Sequence, residues 1–534
     1  MALAAPLLAA ALVALGRLLG WRGVDMPAQV YRVTEMRAHG FSVWDSQWYG
    51  GHWTLSYSVL YPALPAVAGV ATVSVASAAL AALGFERLSG FLVDTGGCSS
   101  GAARAATIVF AAGTVVQSAI GQLPFLTGEA FGLWACWAAS RRRWLAAATL
   151  ALGASLSSPL AGAFVALAMG AWVLSRWRSP EGWGLPAAAT GVAAAAVAPV
   201  VATAVLFPGD GPMPYPVIDY AWEMAVAAGV AVLAGRRRRA VRAGALLFAA
   251  VATAAVVVAS PLGGNVGRIE DVLALPLAVA FAWQRRRLVL GAVAVPLVLS
   301  AWGPAWGAIT SDPGQPSAQR AFFAPLIAAL RRAEAGGPAG RVEVVPTALH
   351  WEAAYVAPVL PLARGWERQL DERDNPLFYR RGAALTAASY RAWLVDNGVR
   401  FVALPNAPLD FAGKAEGRLV RRGVPGLRLL WGSRHWTLYA VEGGGGIVSP
   451  PGRLLSAPGT RLVARAAGPG PLLIRVRYSP RWRLLSGPGC VGEAPGSWVE
   501  VEVPRAETVT LHLSPLGPGG PRCAPAALEA QRGG

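Results

Sequence analysis

The chain has 534 residues, 54% of them hydrophobic and only 14% charged, with a net charge of +18 and a mean hydropathy of +0.44. Soluble domains carry roughly 25% charged residues, so the composition excludes a wholly soluble protein and predicts an integral membrane protein with a soluble part attached. Lys414 is the sole lysine; the arginines gather at the ends of apolar runs, which argues for membrane orientation over nucleic-acid binding.

The first 20 residues lack the basic start of a signal peptide and are followed by further apolar runs, so they read as a retained span. At about 20 apolar residues per span, further spans are predicted over 59–85, 103–120, 123–139, 144–157, 159–174, 185–207, 220–234, 243–260, 272–283 and 288–306, about eleven with the first over 2–20. The pair meeting at Ser157-Ser158-Pro159 is short and reads as a hairpin. With the N-terminus inside, Arg87, Arg104, Arg141–Arg143, Arg176, Arg178, Arg236–Arg239, Arg242 and Arg285–Arg287 all fall on the cytoplasmic side, as the positive-inside rule requires. The opposite loops carry Asp25, Glu35, Asp45, Asp210, Asp219, Glu270 and Asp271; Arg22, Arg32 and Arg37 break the pattern. An odd number of spans puts everything after Trp306 outside the cytoplasm.

From Asp312 onward Pro, Gly and charge rise and long apolar runs stop. The stretch 341–346 alternates like a strand. A helix is predicted over 388–397, a buried strand over 399–404 and paired strands over 427–431 and 435–441, together an α/β module. The run Gly443–Gly446 marks a boundary, after which strands at 472–478, 482–485, 498–503 and 508–513 predict a β-sandwich-like cap. The expected division is a helical membrane domain over 1–307, an extracytoplasmic α/β domain over 308–442 and a β-rich domain over 443–534. Of four cysteines, Cys98 and Cys136 lie in the membrane half, while Cys490 and Cys523 are able to pair if the tail is outside.

The loop between the first two spans concentrates carboxylates and aromatics at a membrane surface, which suits handling of a polar group on a lipid. Asp25, just after the first span, is a base toward a hydroxyl or a cap for the helix starting near Pro27. Asp45 lies among Trp44, Trp48, Tyr49 and His52, with Gly50 and Gly51 allowing close backbone approach; the alternative is an interfacial aromatic belt. Glu35 sits at helical spacing from Tyr31, as a solvated position or a substrate contact, and Tyr57 leads into the second span. Glu129 lies several residues inside the fourth span, where an acid is costly. Arg268, alone in its outer loop, suits a phosphate or pairing with Glu270 or Asp271. In the tail, His350, Trp351, Glu352, Arg364 and Trp366 line a site from above or form an ordinary polar surface. No P-loop, GxSxG, HExxH or dinucleotide fingerprint occurs.

Asp25, the Trp44-Asp45 pair with Trp48-Tyr49-Gly50, and the Ser158-Pro159-Leu160 break belong to a layout that resembles the GT-C superfamily of polytopic glycosyltransferases, in particular the bacterial arabinofuranosyl- and mannosyltransferase-like membrane proteins. The chain departs from better-known members in lacking an Asp-x-Asp pair. The resemblance implies a plasma-membrane enzyme that moves a sugar from a polyprenyl-phosphate donor to an extracytoplasmic glycan, lipid or protein. Asp25 would be the base with Asp45 in competition, Arg268 would hold the donor phosphate, Trp48, Tyr49 and His52 would meet the sugar, and the tail would shape the acceptor groove. A divalent metal, Mg or Mn, is compatible with such chemistry, with no ligand set named. The competing classes are a transporter or lipid flippase and a non-catalytic scaffold.

Overall fold

The structure, a computed structural model, describes residues 3–176, 184–209, 211–236, 238–283, 287–335, 337–379, 385–517 and 519–523. Ala2, Arg178, Asp210, Arg237, Arg285 and Arg286, used in the reading above, lie outside the described residues. The chain divides into two compact units, Met1–Gln29 with Leu55–Gly314, and Val30–Thr54 with Gln315–Gly534. The stretch between the first two apolar helices is thus counted largely with the second unit.

The first unit is helical. It comprises α1 (Ala4–Leu18), the start of α2 (Met26–His39), α3 (Ala63–Ala68), α4 (Val70–Asp94), α5 (Ser100–Ile120), α6 (Leu123–Ser140), α7 (Trp144–Ser157), α8 (Pro159–Arg176), α9 (Gly184–Leu206), α10 (Val217–Ala234), α11 (Arg239–Val257), α12 (Arg268–Ala282) and α13 (Arg287–Thr310). Each of the eleven predicted apolar runs holds one long helix. Seven helices among the described residues, α4, α5, α8, α9, α10, α11 and α13, are long and apolar enough to cross a membrane, which points to a membrane protein. At about 1.5 Å per residue, the 15 residues of α1 and α12 and the 14 of α7 fall short of a hydrocarbon core about 30 Å thick. The break between α7 and α8 has a local cause. Ser158 is extended, with φ −154° and ψ 120°, because the ring of the following proline disfavours the helical region for the residue before it.

Hydrogen bonds sort the helix connections into two ends. At one, the Arg238 Nε–H donates to the Gly97 carbonyl (2.6 Å) and its guanidinium lies 4.3 Å from the centre of the Phe281 ring, joining the α4–α5 and α10–α11 connections to the end of α12. At the other, Gly23 and Asp25 N–H groups donate to Ala119 and Ile120 carbonyls, Val59 and Leu60 to Leu156, and Met213 to Ser260. Arg268 lies over Phe125 there, 5.8 Å from the ring centre. Alternating helices therefore bring together the loops rich in arginine at one end and the loops rich in acid at the other.

The second unit is rich in strands. A short hairpin, β1 (Trp44–Asp45) with β2 (His52–Trp53), comes from the first connecting stretch. The α/β part has α14 (Arg320–Glu334), β3 (Arg341–Val344), α15 (Glu352–Tyr355), α16 (Arg368–Asp374), α17 (Ala387–Asp396), β4 (Val399–Pro405), α18 (Lys414–Arg422), β5 (Leu427–Gly432) and β6 (Trp436–Val441). Its sheet runs β3-β4-β6-β5, with β3 and β4 parallel and the other pairs antiparallel. Alternation predicts a half-exposed β3, yet all four of its residues are buried. Arg341 goes inside because partners await it: its guanidinium bonds the carbonyls of Asn397 and Arg475.

Beyond Gly446, β7 (Arg453–Ser456), β8 (Arg461–Arg465), β9 (Gly470–Arg477), β10 (Trp482–Ser486), β11 (Cys490–Ala494), β12 (Trp498–Val503) and β13 (Thr508–Leu513) form antiparallel sheets β10-β13-β8-β7 and β11-β12-β9 around one apolar core. Trp44 belongs to that core, its ring 6.1 Å from Trp482. Cys490 and Cys523 form a disulfide, while Cys98 and Cys136 are free thiols.

Candidate functional site

Four candidate residues lie in the helical unit, and three of them converge on the α5–α6 connection. Gly121 ends α5 with φ +102°, and a Cβ there would lie 2.3 Å from the Met26 nitrogen. Only glycine lets the segment after α1 approach so closely. The Asp25 N–H then donates to the Ile120 carbonyl at 3.0 Å, and the residue is left half-buried. About two turns into α6, Glu129 accepts from Gln117 Nε2 (2.8 Å) inside the bundle. Arg268, at the start of α12, covers Phe125 from the other side. Tyr57 stands apart from this group, its hydroxyl accepting from Gln29 Nε2 at 3.0 Å. Arg17 fastens the end of α1 to α5 through the Ser118 hydroxyl (2.7 Å); a lone arginine closing an apolar run was the available sequence signal.

The remaining candidates lie in the second unit. Asp45 is half-buried, accepting from the Tyr31 hydroxyl and the Gln47 N–H, each at 2.8 Å. Burial raises its carboxyl, which those two bonds oppose. Burial, reinforced by the charge of Asp45, pushes Glu35 up to about 7. Trp48 stacks on Tyr31 at 4.4 Å and on His52 at 5.7 Å. Trp48 and Tyr49 are fully buried and His52 is 5% exposed, so protein covers these rings. Burial, then Arg32, lowers His52 to about 3, keeping it neutral. Gly51 serves the hairpin itself, since a Cβ there would lie 2.3 Å from the Trp44 ring.

In the tail, Arg364 is buried and holds Asp371 (2.8 Å) and Glu416 (3.0 Å), with Glu343 at 3.7 Å. Burial, then the nearby Glu416, holds the Glu343 carboxyl well above the usual range. Tyr390 donates to Glu416 (2.8 Å) and Tyr379 to Asp371. His350, with φ +55°, sits between Glu352 and Asp410, each at 3.4 Å. Asp410 also takes Arg368 at 2.9 Å. These groups stand on the segments following the parallel strands β3 and β4, the edge where open α/β sheets bind ligands. Trp351 is buried and stacks on Tyr355 at 5.0 Å, while Trp366 is half-buried. Sequence reasoning missed Glu343, Asp410 and Glu416; Glu416 on a charged helix carries no mark that separates it from a solvated acid.

Among the described residues no group of three or more His, Cys, Asp or Glu side chains could hold a metal ion, and no step below is routed through one. Comparison of the chain with protein-family models and with curated protein sequences finds no match.

Proposed function

We propose that the protein is a membrane glycosyltransferase of the GT-C kind, transferring a sugar from a polyprenyl-phosphate donor to an acceptor outside the cytoplasm. The observation that carries this reading is that Asp25 and Arg268 both contact the α5–α6 helix pair, Asp25 by its backbone N–H on Ile120 and Arg268 by its guanidinium over Phe125. The acceptor oxygen attacks the anomeric carbon, Asp25 takes the hydroxyl proton, and the bond to the polyprenyl phosphate breaks with Arg268 balancing the charge of the departing phosphate. Trp48, Tyr49 and His52 then brace the loop. The reading assigns the plasma membrane, eleven crossings, a cytoplasmic arginine-rich end and an extracytoplasmic tail; the Cys490–Cys523 disulfide supports an oxidising compartment for that tail.

The test is transfer from a panel of radiolabelled polyprenyl-phosphate pentoses and hexoses by purified protein. Asp25→Asn is expected to lower the rate about 10²–10⁴-fold with an unchanged thermal midpoint. Full activity in that variant removes Asp25 from the mechanism. Prolines inside α9, α12 and α13 favour the competing transporter reading, since interrupted helices mark many transporters. Solute uptake into proteoliposomes without any transfer product would establish that reading instead.

A further inference from the structure

The helical unit contains a cavity of about 590 Å³, within the ordinary range for small-ligand sites. Its length follows α12, whose Ile269, Leu273, Leu277 and Ala280 line one side. These recur at helical spacing, and the eleven steps from the first to the last span about 16 Å. That is the depth of one leaflet, half of a hydrocarbon core about 30 Å thick. The wall is overwhelmingly apolar, with Phe85, Trp172 and Phe248 among its larger members.

One end of this slot is different. Arg176, Arg238 and Arg239 line it there, at the end of the bundle where the arginine-rich connections meet. Arginines in such loops ordinarily need no explanation beyond orientation. Here, however, Arg238 is fixed over the cavity by its bond to the Gly97 carbonyl and its seat on Phe281. Arg176 lies over the Trp172 ring at 5.6 Å, and Arg239 is exposed. An apolar slot one leaflet deep, closed at one end by three guanidinium groups, matches a molecule with a single hydrocarbon chain to insert and a negative head to leave at the mouth.

We infer that this cavity binds an anionic phospholipid, one acyl chain lying along α12 and the phosphate head held by Arg176, Arg238 and Arg239. Basic pockets between membrane helices recognise anionic head groups in this way. A polyprenyl phosphate shares the head chemistry, but its much longer chain overruns a slot of this depth. The inference rests on the membrane assignment alone and is independent of sugar transfer.

The experiment is native mass spectrometry of the full-length, delipidated protein titrated with phosphatidylglycerol, with phosphatidylethanolamine of the same chains, and with a polyprenyl phosphate. One phosphatidylglycerol is expected to bind at least tenfold more tightly than phosphatidylethanolamine. Arg176→Ala with Arg239→Ala should reduce that preference to near unity. Gly244→Leu should abolish binding of both phospholipids, because Gly244 lines the cavity and an added Cβ meets nothing closer than 3.6 Å. Ala240→Phe, at an exposed position on the rim, provides the same block if Gly244→Leu fails to fold. Equal binding of the two phospholipids, indifference to a folded cavity-filling variant, or preference for the polyprenyl phosphate would each overturn the inference.

Discussion

Three buried acids in the helical unit meet neutral donors, whereas several acids of the tail meet cations. Glu129 takes the Gln117 amide, Glu223 the Tyr215 hydroxyl and Glu270 the Trp222 indole. In the tail Asp371 and Glu416 share Arg364, Glu367 takes Arg32, and Asp410 takes Arg368 and His350. A carboxyl with a neutral donor is able to gain or lose a proton without stranding an opposite charge. An ion-paired one inside a protein is locked, because removing either partner leaves the other uncompensated. The contrast separates groups available for chemistry from groups that hold a fold. Asp45 is the crossover, a neutral-donor acid within the second unit.

The largest expected effect tests whether Val30–Thr54 is structurally part of the second unit. Trp44 sits in the sandwich core, Trp48 lies where a Cβ on Gly365 would be 2.6 Å from its ring, and the Tyr49 hydroxyl donates to the Glu367 carbonyl. Each aromatic buries about 150–250 Å², and at about 25 cal/mol/Å² the three together contribute at most about 11–19 kcal/mol, an upper estimate because the unfolded chain already buries some of that surface. Net stabilities of domains are about 5–15 kcal/mol. A fragment covering 315–534 alone is therefore expected to lack a cooperative melt, and fusing 30–54 to it should restore one. A fragment that melts sharply without those residues would divide the molecule differently.

Next comes the locked network itself. Arg364→Ala strands Asp371 and Glu416 and should destabilise the second unit by about 3–5 kcal/mol, seen as faster hydrogen exchange in β3 and β4 of the full chain. Glu129→Gln, which keeps a polar partner for Gln117, is expected to change helical protection by less than about 1 kcal/mol. Equal effects of the two substitutions would erase the distinction between the units. Slightly smaller is the disulfide: replacing Cys490 and Cys523 by serine frees a crosslink with a sequence separation of 33, for which chain entropy gives about 3–4 kcal/mol. The loss should appear in exchange of β11 and β12 and be absent from the helices.

Much of the helical unit was legible because its signal is one-dimensional. An apolar run can only be a helix or a barrel strand in lipid, and the proline after Ser158 fixes where α7 ends. The strands at 498–503 and 508–513 were legible from alternation bounded by turns. What stayed hidden needed a partner far away in the chain. The charges of β3 look like the polar face of a half-exposed strand until Asn397, Arg475 and Glu416 are set beside them. Trp48 and Tyr49 look like a surface for a sugar until Tyr31, Gly365 and Glu367 cover them. Of the candidate residues, Arg268 was visible as a charge alone in its loop, but its seat over Phe125 was not.

The smallest effect concerns His350. Burial opposes its charge, but the hydrogen bonds it donates to Asp410 and Glu352 outweigh burial and push it up to about 9. An unfolded histidine titrates near 6.5, so the folded unit binds the proton more tightly. The resulting stabilisation is fully present below about pH 6.5 and is lost as pH rises through about 9, with a ceiling of about 3 kcal/mol at 1.36 kcal/mol per pKa unit. Asp410, held well below the usual carboxylate range by His350 and Arg368 against the opposing effect of burial, loses its contribution only in strong acid, outside that window. Urea-dependent proteolysis of the full chain at pH 6 and pH 9.5 should show the second unit weakening at the higher pH in the wild type. His350→Gln, which retains hydrogen bonding but no titratable charge, should flatten that dependence while costing stability at pH 6. A slope that survives the substitution would assign the alkaline weakening to another group and leave His350 as a strained turn residue with no electrostatic role.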